Sequence, residues 1–246
     1  MPRRSLRPEA ISPDAARSQA KSPPAIYDPN CTRCPRLAAF LAELRERHPT
    51  YWNRPVPSFG AARPRIVIVG LAPGLHGANR TDRPFTGDHA GVLLYRTLHD
   101  AGLASGPVSV SADDGLTLVN ARIVNAVKCV PPANKPLPEE IRCCNAYLGR
   151  EMRELSGVRV YLALGRVAHE ALLIARGLKR REYPFAHGRE HALEGARYLL
   201  DSYHCSRYNT STGRLTAVMF SAVVARACEL AELPVPRALR HADAAA

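Results

Sequence analysis

Short β-branched runs alternate with helix-patterned segments through the middle of the chain, and this alternation restricts the fold more than any other feature. Ile66, Val67, Ile68 and Val69 run straight into Gly70, the mark of a strand buried on both faces that feeds a turn. Comparable runs occupy Ile123 to Val127, Val158 to Leu164 and Tyr198 to Tyr203. Helical patterns cover Leu37 to Arg47, Ala90 to Ala101, Pro138 to Leu155, Val167 to Arg176 and Leu215 to Leu230. In the last of these, Leu215, Val218, Met219, Ala222 and Val223 follow helical spacing and predict one buried face. The βαβα order predicts an α/β fold: a mainly parallel sheet with helices on both faces, and ligands beyond the carboxyl ends of its strands. No internal repeat interrupts it.

With 246 residues, 46% of them hydrophobic, the chain can bury a sizeable core. Residues 1–24 carry Pro2, Pro8, Pro13, Pro23 and Pro24 among small and basic residues and are expected to be disordered, as is the tail 236–246. That leaves 25–235 as the folded domain. No apolar run is long enough to span a membrane and the first twenty residues lack an apolar signal region, so a cytoplasmic location is expected. The formal charge is +12, and the body between the two ends keeps +8 of it. An excess of that size on a compact body favours a polyanionic partner, most often nucleic acid, although an Arg-rich proteome alone would also produce it.

Seven cysteines without an export signal point to metal ligation or redox chemistry rather than a disulfide scaffold. Cys31 and Cys34 form a CxxC pair, which by itself serves equally as a redox dithiol. Cys129 stands at a kinked strand exit before Val-Pro-Pro, and Cys144, with Cys143 beside it, lies in a helix opened by Pro138-Glu139-Glu140. Four thiolates suit either zinc or an iron-sulfur cluster, and the spacing does not separate them. Cys205 and Cys228 read as bystanders.

Two polar loops follow strands. Gly70-Leu-Ala-Pro-Gly-Leu-His-Gly-Ala-Asn-Arg-Thr fits neither a Walker loop nor a dinucleotide fingerprint. It leads into Arg83-Pro-Phe-Thr-Gly-Asp-His-Ala-Gly91, which offers Phe85 and Asp88, although an Asp after Gly is ordinarily a helix cap. The second loop, Tyr203 to Thr216, holds His204, Ser206 and Asn209. A lone His at a strand end is more often structural than catalytic. The convergence of both loops on one crevice, with surplus positive charge, favours a site acting on a component of nucleic acid.

Taken together, the CxxC pair, GLAPGLHGANRT, RPFTGD, NAVKCVPPANKP with its downstream Cys, and YHxSxxNxxTGRLT resemble the iron-sulfur uracil-DNA glycosylases of family 5 (type b) over residues 25 to 230. The resemblance implies a three-layer αβα sandwich with a four-stranded parallel sheet. It further implies a 4Fe-4S cluster on Cys31, Cys34, Cys129 and Cys144, with Cys143 the rival for the fourth place, and base-flipping hydrolysis of uracil from DNA. Phe85 would stack on the flipped base; Asp88, Asn134 and His204 would be the polar catalytic groups; and Gly70, Ala72, Ser206 and Asn209 would border the substrate. Family-5 enzymes have an apolar residue after the first motif glycine, here Leu71. Asn125 matches the position where sibling branches read the uracil edge; on its own chemistry it serves equally as a strand-end residue bonding backbone. His204 would donate to the anion developing on uracil O2, and Asp88 would orient water and stabilise the cationic sugar. Arg207 and Arg214 are candidate phosphate contacts, and a monomer is expected. The rival readings are a non-catalytic, metal-stabilised nucleic-acid-binding protein and a thiol oxidoreductase using Cys31 and Cys34.

Overall fold

The computed structural model describes residues 26–236 and Leu239. The extension 1–24 lies outside them, as does most of the tail; Leu239 of that tail is buried against the main core. In chain order the first elements are α1 (Pro35–Arg47), β1 (Phe59–Gly60), β2 (Ile66–Gly70), α2 (Ala78–Thr81), α3 (His89–Asp100) and β3 (Ala121–Asn125). There follow α4 (Pro138–Glu154), β4 (Val160–Leu164), α5 (Arg166–Arg176), β5 (Glu190–Leu193), β6 (Arg197–Ser202), α6 (Arg207–Ser211) and α7 (Ala217–Leu230).

The sheet order is β1-β3-β2-β4-β6-β5. Its four inner strands are parallel, and β1 and β5 pair antiparallel at the two edges. The sheet therefore has six strands where four were expected, the parallel set being the one the apolar runs predict. Both additions are short edge strands: β1 has two half-buried residues, and β5 alternates exposed with half-buried positions and contains no β-branched residue. Neither leaves a hydrophobic run to read.

Alternate residues of an inner strand face opposite sides, so the sheet splits the core in two. Ile66, Ile68, Ile123, Leu162 and Leu200 pack with Leu94, Leu98, Phe220 and Val224 of α3 and α7. Val67, Val69, Val124, Tyr161 and Ala163 pack with Leu148 and Leu172 of α4 and α5. A smaller core joins Leu37, Leu41 and Leu44 of α1 to Val127, Cys129, Val130 and Cys144.

Two boundaries depart from the sequence reading. β3 ends at Asn125 as β2 ends at Gly70, although the Ala126 and Val127 N–H groups still donate to the Gly70 and Leu71 carbonyls, both at 2.9 Å. The last helix begins at Ala217, behind a Thr216 cap whose side chain accepts from the Met219 N–H. Leu215 is consequently buried in the preceding loop, Val218 is 50% exposed, and the buried face is Phe220, Val223, Val224, Ala227 and Cys228. No helix among the described residues is long and apolar enough to cross a membrane.

Candidate functional site

Gly70 and Asn125 end adjacent parallel strands and stand opposite one another in register. A Cβ on Gly70 would lie 2.5 Å from Asn125 Oδ1 and 2.6 Å from the Phe85 ring, so only glycine allows these two side chains to close over the strand end. Phe85 holds a left-handed backbone (φ 56°), which is costly for a bulky side chain and persists only where the surroundings impose it. Here they do. The Tyr95 hydroxyl donates to the Pro84 carbonyl (2.7 Å), and the buried Arg83 pairs with Asp114 (2.6 Å) and donates to Ser109 and to the Ala112 carbonyl. The Asn125 side chain is 3% exposed as a residue and its Oδ1 is buried without a hydrogen-bond partner. Such an orphan acceptor is rare in native proteins and marks a place for a donor.

His204 follows the end of β6, and its ring faces that of Phe85, with centroids 5.8 Å apart and planes 29° from parallel. Water reaches part of the residue, but protein surrounds the imidazole on most sides, and this desolvation pulls its pKa down to about 4. The ring is neutral at physiological pH and offers one N–H donor. The Asn209 amide donates to the His204 carbonyl (2.8 Å), and the Ser206 hydroxyl caps α6 by accepting from the Asn209 N–H. These two residues thus hold the His204 segment in shape.

His204 and Asn209 line a cavity of about 380 Å³ together with Leu71, Gly165, Arg166, Phe185, Tyr203 and Arg214. Arg214 lies over the Tyr203 ring (4.6 Å) and Arg166 over the Phe185 ring (5.5 Å), so two guanidinium groups rest on aromatic faces at its walls. The sequence reading missed Arg166 and Phe185. Arg166 opens a helix directly after a strand, a position that the strand-end rule for α/β folds picks out; Phe185 lies in a segment with no motif.

Asp88 N-caps α3, its Oδ1 accepting from the Gly91 N–H (2.9 Å). Its Oδ2 lies over the glycine loop, 2.7 Å from where a Gly77 Cβ would sit. Burial raises its pKa, partly offset by the Gly91 and Ala90 N–H groups. Asp88 lines a second cavity of about 420 Å³, with His89, Arg207 and the segment 107–110. Asp88 and His204 therefore border different cavities. Asn134 lies exposed in a left-handed turn (φ 56°) and borders neither, and Ala72 packs towards the α1 core.

A third cavity is lined by Cys31, Cys34, Cys129, Cys143 and Cys144. Burial and the neighbouring sulfurs raise the Cys129 thiol, and burial with a Cys143 contact pushes Cys34 up to about 12. Gathering several thiolates there would require a bound cation. The Lys128 N–H donates to Cys144 Sγ (3.3 Å), whereas Cys143 Sγ donates to the Arg33 carbonyl (3.8 Å). A zinc tetrahedron with Zn–S bonds of about 2.3 Å brings its sulfurs to about 3.8 Å from one another. Several cysteine sulfurs around one cavity are a donor set that fits either zinc or an iron-sulfur cluster.

The family model for the uracil DNA glycosylase superfamily matches residues 57–227. A type-5 uracil-DNA glycosylase of Thermus thermophilus is 51% identical over 208 residues, 82% of this chain and 94% of that protein. One from Pyrobaculum aerophilum is 42% identical over 80% of this chain and 88% of its own length. A type-4 uracil-DNA glycosylase of Archaeoglobus fulgidus is 37% identical, over only 46% of this chain and 49% of that protein.

Proposed function

Because the chain belongs to the uracil DNA glycosylase superfamily, and within it to the type-5 enzymes, it excises uracil from DNA in base-excision repair, and we propose that Phe85, Asn125 and His204 receive the flipped base. The observation that carries this reading is the buried, unpartnered Asn125 Oδ1 beneath the Phe85 ring. Uracil presents an N3–H donor and an O4 acceptor along one edge. An amide answers both, accepting from N3–H through Oδ1 and donating to O4 through Nδ2. Cytosine presents the opposite pattern and would leave two buried groups facing like groups.

Breaking the N-glycosidic bond leaves negative charge on the base and positive charge on the sugar. The neutral His204 imidazole donates to uracil O2 as that charge grows, a role strongest in a dry and preorganised pocket. Asn209 and Ser206 act as positioning residues through the His204 segment. Asp88 keeps Oδ2 for orienting water and for facing the cationic sugar, while Oδ1 holds the helix. Arg166 and Arg214, stacked on aromatic rings, are placed to take phosphates flanking the extruded nucleotide, with Arg207 on the Asp88 side. Cys31, Cys34, Cys129 and Cys144 hold a 4Fe-4S cluster; the Lys128 N–H aimed at Cys144 favours that sulfur over Cys143 as the fourth ligand. When bound, the cluster ties α1 to α4 and supplies no step of the hydrolysis.

A base-release assay tests the reading. Replacing Asn125 by Ala is expected to slow uracil excision by about 5- to 150-fold, the effect of losing ~1–3 kcal/mol of polar contact, while a purine such as hypoxanthine suffers less. An unchanged preference for uracil in that variant contradicts the assignment.

A further inference from the structure

Behind the Phe185 wall of the cavity, three side chains from three elements meet: His169 of α5, His191 of β5 and Asp201 of β6. One ligand atom of each lies within 4.8 Å of the others. The side chains are 2%, 10% and 0% exposed respectively.

The surrounding contacts constrain the three groups. His169 Nε2 stands 2.9 Å from the Tyr183 carbonyl, which can only accept, so Nε2 carries a proton and Nδ1 is the ring atom turned towards the cluster. His169 Nδ1 stands 2.7 Å from Asp201 Oδ1, a contact that needs a shared proton or a cation. The Pro184 carbonyl accepts from the His191 ring, while His191 Nε2 has no partner, so the proton is on Nδ1 and the lone pair on Nε2. Asp201 Oδ2 is also buried without a partner, 3.7 Å from His191 Nε2 and beyond hydrogen-bond reach. Two imidazole nitrogens and a carboxylate therefore converge, with His191 Nε2 and Asp201 Oδ2 buried and unpartnered. A single proton between His169 and Asp201 would satisfy one pair and leave the other two atoms orphaned.

We infer that His169 Nδ1, His191 Nε2 and the Asp201 carboxylate form a binding site for one divalent cation of the zinc type. Two imidazoles and a carboxylate suit such an ion, and each imidazole has its far N–H held by a backbone carbonyl, the outer shell that fixes ring orientation in histidine sites. The site is separate from the cysteine cavity. Its role is structural: both outer carbonyls belong to the residues just before Phe185, whose ring meets His169 edge-on at 5.6 Å and lines the His204 cavity. The ion fastens that wall to the sheet.

The test uses untagged, full-length protein with its iron content measured at full loading, so that zinc cannot be assigned to vacated cysteines. After treatment with a zinc chelator, Zn2+ is titrated by calorimetry, and zinc per chain and melting temperature are recorded. The expected result is one zinc per chain and a melting temperature that rises with Zn2+. In His191→Ala and in the near-isosteric Asp201→Asn, zinc affinity falls more than about 100-fold at unchanged iron content, and the rise disappears. Absence of zinc binding by the wild-type protein overturns the proposal even if neither variant folds. Undiminished binding in either folded variant does so as well.

Discussion

In its proposed role His204 acts uncharged. An ordinary histidine gains its proton near 6.5, but burial pulls this one to about 4, so between those values the native imidazole stays neutral while an unfolded chain would protonate it. The sign follows. Because the unfolded state binds the proton that the native state refuses, this residue withdraws stability as pH falls from 6.5 towards 4. Asp88, whose pKa is raised by burial, would in its proposed role lose its carboxylate on the acid side as well. The expected pH profile of uracil excision therefore has an acid limb; a rate that rises as pH falls would contradict it. The orphan Oδ1 of Asn125 belongs to the same logic: a buried polar atom is left without a partner where the proposed site takes a base.

The strand ends of β2 and β3 bring these groups together, and the short contacts around Gly70 show how little room is available. Gly70→Ala forces the Phe85 ring and the Asn125 amide apart, because the new methyl would lie 2.5 to 2.7 Å from both. A displacement of about 1 Å at a reacting site costs on the order of 100-fold, so excision by this variant is expected to fall by about that factor while the far-ultraviolet circular dichroism is retained. A wild-type rate in Gly70→Ala would show that the close contact has no part in catalysis. At this scale much was legible in the sequence. Runs of Ile and Val announce strands buried on both faces, and four of the six strands, with the five long helices, fall within a few residues of their patterns. The edge strands were not legible, since pairing at an edge depends on a neighbour rather than on apolar residues of its own. The buried face of α7 was misread because its pattern was started at Leu215, before the Thr216 cap. The positions of Phe85, Asn125 and His204 at strand ends were readable, but the contact between Gly70 and Phe85 was not, nor the cation-lined wall at Arg166 and Phe185, which depends on how distant loops meet.

For the whole molecule, the cysteine cavity joins α1 to a sheet with which it shares only a small core. On the proposed assignment two ligands would come from the segment before α1, one from the loop after β3 and one from α4, so loss of the cluster should loosen that flank without touching the Asn125 pocket directly. Cys34→Ala is accordingly expected to lose the brown colour and most of its iron, and to melt at lower temperature; full iron content in that variant would remove Cys34 from the ligand set. The central claim is that one pocket, closed by Phe85 and His204, both receives the base and stabilises the charge it acquires. Single-turnover excision of uracil by His204→Ala, measured beside its affinity for the same DNA, tests it most directly. The account predicts a rate lower by about 100-fold or more, with affinity nearly unchanged; a full rate, or a loss confined to binding, would contradict it.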